Sequence, residues 1–145
     1  MDTSYNSRNR EQTERLKAMH RWSDETLAHQ VGEHWTVGVA LAHIAYWDSR
    51  TLAVLELSAR HDLPRAWWSP VEAQAVNDAR LPIWLAVPPR EALRQAIQTA
   101  EILDRVINEL PAQLIEAVMI ERARSFDRYR HRAEHLDEVD RTVKN

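Results

Sequence analysis

Two histidines near the end of the chain, His131 and His135, stand four residues apart in Tyr-Arg-His-Arg-Ala-Glu-His-Leu. A third, His43, lies far upstream inside the apolar run Trp-Thr-Val-Gly-Val-Ala-Leu-Ala-His-Ile-Ala-Tyr-Trp-Asp. On a helix, residues i and i+4 project from one face, so both rings can hold a single ion if a second helix brings the third ring. Neutral imidazole nitrogens bind divalent ions at about 2.0 to 2.1 Å, and a three-histidine set leaves a position open for water or substrate. The sequence has no cysteine, which removes thiolate ligands, thiolate nucleophiles and disulfides together. Imidazole and carboxylate are the strong ligands that remain, and imidazole with open positions suits zinc, nickel, iron or copper. Spacing alone also fits surface histidines with no role.

The other chemistry-bearing residues are weaker candidates. Ligating histidines usually donate their second ring proton to an acceptor, and Asp127, Glu138 and Asp48 lie close enough in sequence to serve. His20, His29, His34 and His61 fall near element ends or turns and read as surface residues. Asn77 either bonds a substrate or satisfies backbone near Pro82, with structure favoured. Six tryptophans is a high number for this length. Trp35, Trp47 and Trp84 read as core, and Trp67-Trp68 as the lining of a groove or a dimer seam, where aromatics are enriched. No Ser-His-Asp order, glycine-rich phosphate loop or paired-carboxylate motif stands out, so nucleophilic hydrolysis and nucleotide binding have little support.

The chain has 145 residues, 44% of them hydrophobic and 28% charged. These values describe one globular domain able to bury a core without staples. The terminal stretches 1–7 and 142–145 read as flexible. The N-terminus has no apolar signal segment, and the longest apolar stretch, Val37 to Trp47, is too short to cross a bilayer. A soluble protein is expected, and the lack of cysteine fits a reducing cytoplasm. Net charge is -3, with 17 arginines against two lysines. Arg122, Arg124, Arg128, Arg130 and Arg132 cluster tightly enough to neutralise phosphates, yet Glu134, Asp137, Glu138 and Asp140 follow at once. A solvated helix face with pairs such as Arg130 to Glu134 and Asp137 to Arg141 is the preferred reading, and nucleic acid is not an expected partner.

With only Gly32 and Gly38 as glycines, and almost no β-branched alternation, the elements that position the histidines should be long helices with proline-marked turns and no sheet. A first helix is expected over about 8–22, followed by a capped turn at Ser23-Asp24-Glu25 running through His29. Thr36 caps a second helix over about 37–60, whose apolar stripe is Val37, Ala40, Leu41, Ile44, Trp47, Leu52 and Leu55. Ser69-Pro70 opens a third, which Pro82 should kink or end near Leu81. A fourth spans about 90–109 on the stripe Leu93, Ile97, Ala100, Ile102 or Leu103, Val106, Ile107 and Leu110. Residues 111–122 are either an extra turn or a packed connector. The last helix runs from Phe126 to about Arg141 with Phe126, Tyr129, Ala133, Leu136 and Val143 inward. This stripe places His131 and His135 roughly 130° away, flanking the core, which is compatible with a site at the open end or groove of the bundle and equally with surface histidines of no role. Long helices in one short domain make a helical bundle, which builds metal sites from facing helices.

The chain resembles the DinB-like (YfiT-like) superfamily, which includes the N-terminal domain of mycothiol-dependent maleylpyruvate isomerase. The resemblance rests on Trp35-Thr36-Val37-Gly38, on Leu41-Ala42-His43-Ile44-Ala45-Tyr46-Trp47-Asp48, on Asn77 ahead of a Pro-Arg-Glu-Ala-Leu helix, and on Tyr129-Arg130-His131 with His135. It implies an all-α, up-down-down-up four-helix bundle, often dimeric, holding zinc, nickel or iron through His43, His131 and His135. It further implies metal-dependent transferase, isomerase or hydrolase chemistry on a small molecule, with a low-molecular-weight thiol as a possible cofactor. The dense arginines of the last motif depart from the family's milder pattern, and no second domain of the isomerase kind follows. The alternative, from another class, is a non-catalytic dimeric module that binds a partner through its tryptophan-rich surface.

Overall fold

The computed structural model describes residues 2–60, 69–122 and 125–144, without the side chains of 120–122. The expectations for His61, Trp67-Trp68 and Arg124, and for the side chain of Arg122, therefore lie outside the described residues. Among those described, the elements run α1 (Ser4–Ala18), a 3-10 turn at Met19–Arg21, α2 (Asp24–Leu27), β1 (Gln30–Val31), β2 (Trp35–Thr36), α3 (Val37–Ala59), α4 (Pro70–Ala86), α5 (Pro89–Glu109), α6 (Ala112–Arg122) and α7 (Arg128–Val143). The class is helical, and no helix is long and apolar enough to cross a membrane.

The helix starts follow the capping chemistry. Thr36 Oγ1 accepts the Val39 amide at 3.1 Å and Ser23 Oγ accepts that of Thr26 at 3.1 Å. Ser69 and Glu72 exchange side-chain and backbone bonds in a capping box ahead of Pro70, satisfying donors that the first turn leaves open. α1 starts at Ser4, earlier than expected, because Tyr5 is buried against Phe126 with ring centroids 5.8 Å apart.

Two expectations are corrected and one is narrowed. A small sheet exists: β1 and β2 pair antiparallel, Gln30 with Thr36 and Val31 with Trp35. The turn between them relies on Gly32 at φ 68°, a left-handed conformation that side chains resist, and Gln30 Nε2 braces it by donating to the carbonyls of Gly32 and Glu33. Of the two outcomes expected at Pro82, a kink or an end, the end is excluded, since α4 continues to Ala86. Proline costs one ladder bond there, but Pro82 and Asp78 are exposed, so water can take the freed carbonyl, while buried Trp84 holds the last turn. The inward face of α7 is Arg128, Arg132, Leu136 and Val139, whereas Tyr129, Ala133 and Val143 are only half-buried.

The long helices pack in defined directions. α1 and α7 run together, since Asn9 donates to the Phe126 carbonyl and, further along both, Arg15 meets Asp140 at 3.1 Å. α1 and α5 oppose each other, with Lys17 paired to Glu101 and Thr13 to Asp104. α3 and α5 run together: Gly38 lies against Pro89 so closely that an added Cβ would sit 3.0 Å from the Pro89 side chain, and further along Leu55 shares a cluster with Leu103 and Ile107. One apolar cluster gathers Leu16, Leu41, Ile44, Trp84, Leu93 and Leu136. A second holds Tyr5, Leu55, Leu103, Ile107, Ile115, Val118 and Phe126. α6 thus proves to be a packed helix.

Near these clusters lies a buried ionic core that overturns the solvated-arginine reading. Asp48 has no solvent exposure; its Oδ1 accepts Arg128 Nε at 2.9 Å and its Oδ2 accepts Arg132 Nε at 2.7 Å. Arg132, also fully buried, reaches Asp104 at 2.8 Å, Thr13 Oγ1 at 3.1 Å and the Asn9 carbonyl at 3.2 Å. The expected surface pairs are replaced as well, since Arg130 bonds Asp127 and Asp137 pairs with Arg15. Removing one partner of a buried pair leaves the other charge uncompensated. We expect Asp48→Ala to lower unfolding free energy by about 3–5 kcal/mol, read as a shifted urea midpoint. A loss below about 1 kcal/mol would show that the cluster contributes little.

Candidate metal centre

α3 carries His43 and α7 carries His131 and His135, and the ionic core between Asp48 and Arg128 and Arg132 sets the two helices against each other one turn away. The three histidines converge: each offers a ring nitrogen, and these atoms lie within 4.8 Å of one another. His43 Nε2 and His131 Nε2 are 2.9 Å apart, close enough for both to reach an ion at about 2.0 to 2.1 Å. Ring centroids of His135 stand 4.4 Å from His43 and 4.8 Å from His131. His43 is buried, and the other two are half-buried.

The rings close one side of a cavity of about 1000 Å³ between α3, α4, α7 and the hairpin. Of the two alternatives left by the flanking position of the pair, the rings therefore stand at a groove rather than on open surface. Trp35, delivered by β2, stacks on His135 at 5.6 Å and lies 4.8 Å from His43. The buried Trp84 edges His43 at 5.2 Å. Of the three tryptophans assigned to the core, Trp84 is buried, whereas half-buried Trp35 and Trp47 line the cavity. His20, His29 and His34 are exposed, as expected.

Burial among aromatic walls controls the protonation of the site. It pushes His43 down to about 3, with His135 and Arg128 adding in that order, while the Asn77 side chain opposes the shift. His131 is held well below the ordinary imidazole value by burial and then by Arg128. His135 is lowered by burial, with Glu134 and Glu138 pulling the other way. All three are therefore neutral near pH 7, with lone pairs available without deprotonation.

The hydrogen-bond partners differ from those expected. Asp48 and Asp127 accept from arginines, and Nδ1 of both His43 and His135 is buried with no partner among the described residues. Instead Arg128 Nη2 stands 3.2 Å from His131 Nδ1. A guanidinium only donates, so Nδ1 accepts and the ring's proton sits on Nε2, from which it can be shared with His43 Nε2. The Arg128 contact was missed because the arginines were read as a solvated stripe, although its spacing three residues before His131 is the helical signal for such a pair. Asn77 Oδ1 accepts Trp47 Nε1 at 3.0 Å rather than a backbone donor among the described residues, and Asn77 lines the cavity.

These residues fit a divalent cation. Three neutral imidazoles converge, and His43 and His131 already face each other through Nε2 at 2.9 Å, a spacing that one ion can bridge. Arg128 works against the fit, because a guanidinium beside His131 repels a cation. No protein-family model, curated protein or solved structure matches this chain.

A stability consequence follows from the depressed values. Between about pH 6.5, where the unfolded ring titrates, and the folded value of about 3, the unfolded chain binds the extra proton. Stability should therefore be complete above the upper limit and fall as pH drops through this window. For metal-free protein in chelator, we expect a loss on the order of 1 kcal/mol per pH unit from His43 between about pH 6 and pH 5. Thermal melts should show a flatter profile in His43→Leu, and parallel profiles would contradict the assignment.

Proposed function

We propose that this chain is a metal-dependent protein in which His43, His131 and His135 hold one divalent zinc, nickel or iron ion, open to the adjoining cavity. Its reaction, on this reading, is of transferase, isomerase or hydrolase type on a small molecule, with a low-molecular-weight thiol as the candidate cosubstrate. The convergence of three ring nitrogens within 4.8 Å carries the reading. An ion bound there supplies Lewis acidity, lowering the pKa of a water or thiol in its open position. The chain's own residues do the rest: Trp35 and Trp84 exclude water from one side of the rings, and Arg128, anchored by Asp48, lies at the edge of His131.

We further propose that the chain belongs with the DinB-like up-down-down-up four-helix bundles. Supporting this is the direction of its long helices, with α1 alongside α7, α3 alongside α5, and the two sets opposed through α1 and α5. A cysteine-free sequence goes with a cytoplasmic setting. A small molecule is favoured over nucleic acid because Arg128 and Arg132 direct their charge inward to Asp48 and Asp104. The second reading is a non-catalytic homodimeric module, and what bears on it is that the apolar side chains of Val71, Ile83 and Leu85 on α4 are each more than half exposed.

Elemental analysis of protein purified without a nickel column tests the reading. We expect about one ion per chain in the wild type and, since each variant removes a ligand, occupancy falling at least about tenfold in His43→Ala and His131→Ala. Unchanged occupancy in both variants would remove the metal site.

A further inference from the structure

The contact between Arg128 and His131 cannot survive metal binding unchanged. In the structure Arg128 Nη2 donates to His131 Nδ1, and the proton of that ring is therefore on Nε2, 2.9 Å from His43 Nε2. An ion shared by His43 and His131 through these facing nitrogens needs both lone pairs. As a neutral ligand, His131 then carries its proton on Nδ1, where it faces a guanidinium that has nothing to accept it with. Two donors repel, so Nη2 must leave.

Arg128 is not free to go far. Its Nε stays bound to the fully buried Asp48 carboxylate at 2.9 Å, and its side chain is only 10% exposed. The planar head can therefore pivot about its Nε–Asp48 bond but not withdraw, and Arg128 already lines the cavity. A guanidinium held at Nε presents Nη1 and Nη2 side by side, the fork that matches two carboxylate oxygens. The charges along the cavity agree with this placement. Arg50 lies beyond His43 on α3 and Arg128 precedes His131 on α7, so both stand at one end, where Arg130 is offset by its pair with Asp127; Glu134 and Glu138 follow on α7 beside the hairpin residue Glu33 at the other end, and Asp78 of α4 also lines the cavity.

We propose that ion binding at the histidines converts Arg128 from a partner of His131 into a carboxylate clamp, so that the small molecule taken by this site carries a carboxylate next to its metal-bound group. This rests on the metal reading above and assigns its substrate class. Arg128 is a binding residue in this scheme, and Asp48 positions it.

The test uses zinc-loaded full-length protein and two small probes, mercaptoacetate and mercaptoethanol, which share a metal-seeking sulfur and differ in the carboxylate. Their affinities are compared by calorimetry in wild type, Arg128→Met and Arg128→Lys, with zinc content measured in every sample. A charge-assisted bond of about 1.5–3 kcal/mol corresponds to a preference for mercaptoacetate of roughly 10- to 100-fold in wild type. The preference should drop to within about threefold in Arg128→Met while zinc stays bound. Arg128→Lys keeps a charge for Asp48 but lacks the fork, so it should show an intermediate preference. It also supplies the comparison if the methionine variant loses its helical circular dichroism. A wild-type preference near unity, or an equal preference in wild type and the folded variants, overturns the clamp and leaves the metal site standing. Protein that takes up no zinc overturns both.

Discussion

Asp48 holds a full carboxylate away from all solvent, and the site exists because of how that charge is satisfied. Each of its oxygens takes one guanidinium from α7, Arg128 at 2.9 Å and Arg132 at 2.7 Å, and Arg132 extends the link to Asp104 on α5 and to Thr13 and Asn9 on α1. Four long helices thus meet on one ionic core. A buried ion pair gains little over apolar packing in free energy, because desolvation offsets attraction. What it adds is geometry, since a slip of α7 along α3 would strand buried charge. With the register fixed, His131 and His135 come opposite His43.

The same core sets the electrostatics of the histidines. Arg128 brings positive charge to His131, and aromatic rings remove water around His43, so both effects keep the imidazoles neutral. Neutral rings suit ligation, yet a fixed cation beside them does not. The two tendencies reconcile if Arg128 is a movable contact with a fixed root: Nε on Asp48 and Nη2 on a ring nitrogen that an arriving ion reprotonates. A purely structural arginine would need no such contact with His131, because Asp48 alone anchors it.

Much of this was legible in the sequence. Thr36 and Ser69-Pro70 mark helix starts through local chemistry, and the 3.6-residue stripe of α5 gives its buried face, Leu103 rather than Ile102 being the inward choice, whereas α3 is buried all round from Val37 to Ala45 and then turns Asp48, Thr51, Val54 and Leu55 inward instead of Trp47 and Leu52. His131 and His135 were readable as a pair because i, i+4 spacing on a helix is a local property, while His43, 88 positions before His131, was joined to them through the family resemblance. What was not legible is nonlocal. Arg128 and Arg132 look like surface residues until Asp48, some eighty positions upstream, is placed between them, and this displaces the apolar stripe that hydrophobicity alone assigns to α7. The hairpin escaped notice because strands of two residues carry no periodicity, although Gly32 marked its turn. That Pro82 would leave α4 unbroken was open for a related reason, since the cost of a lost ladder bond depends on whether the freed carbonyl sees water.

The most direct examination of the site is X-ray absorption at the edge of the bound metal in protein loaded with one ion per chain. Three imidazole nitrogens at about 2.0 to 2.1 Å, with the outer-shell scattering that rigid rings produce, are expected, falling to two in His135→Ala. A first shell made of oxygen alone, or one unchanged by loss of His135, would contradict a centre built from these three rings.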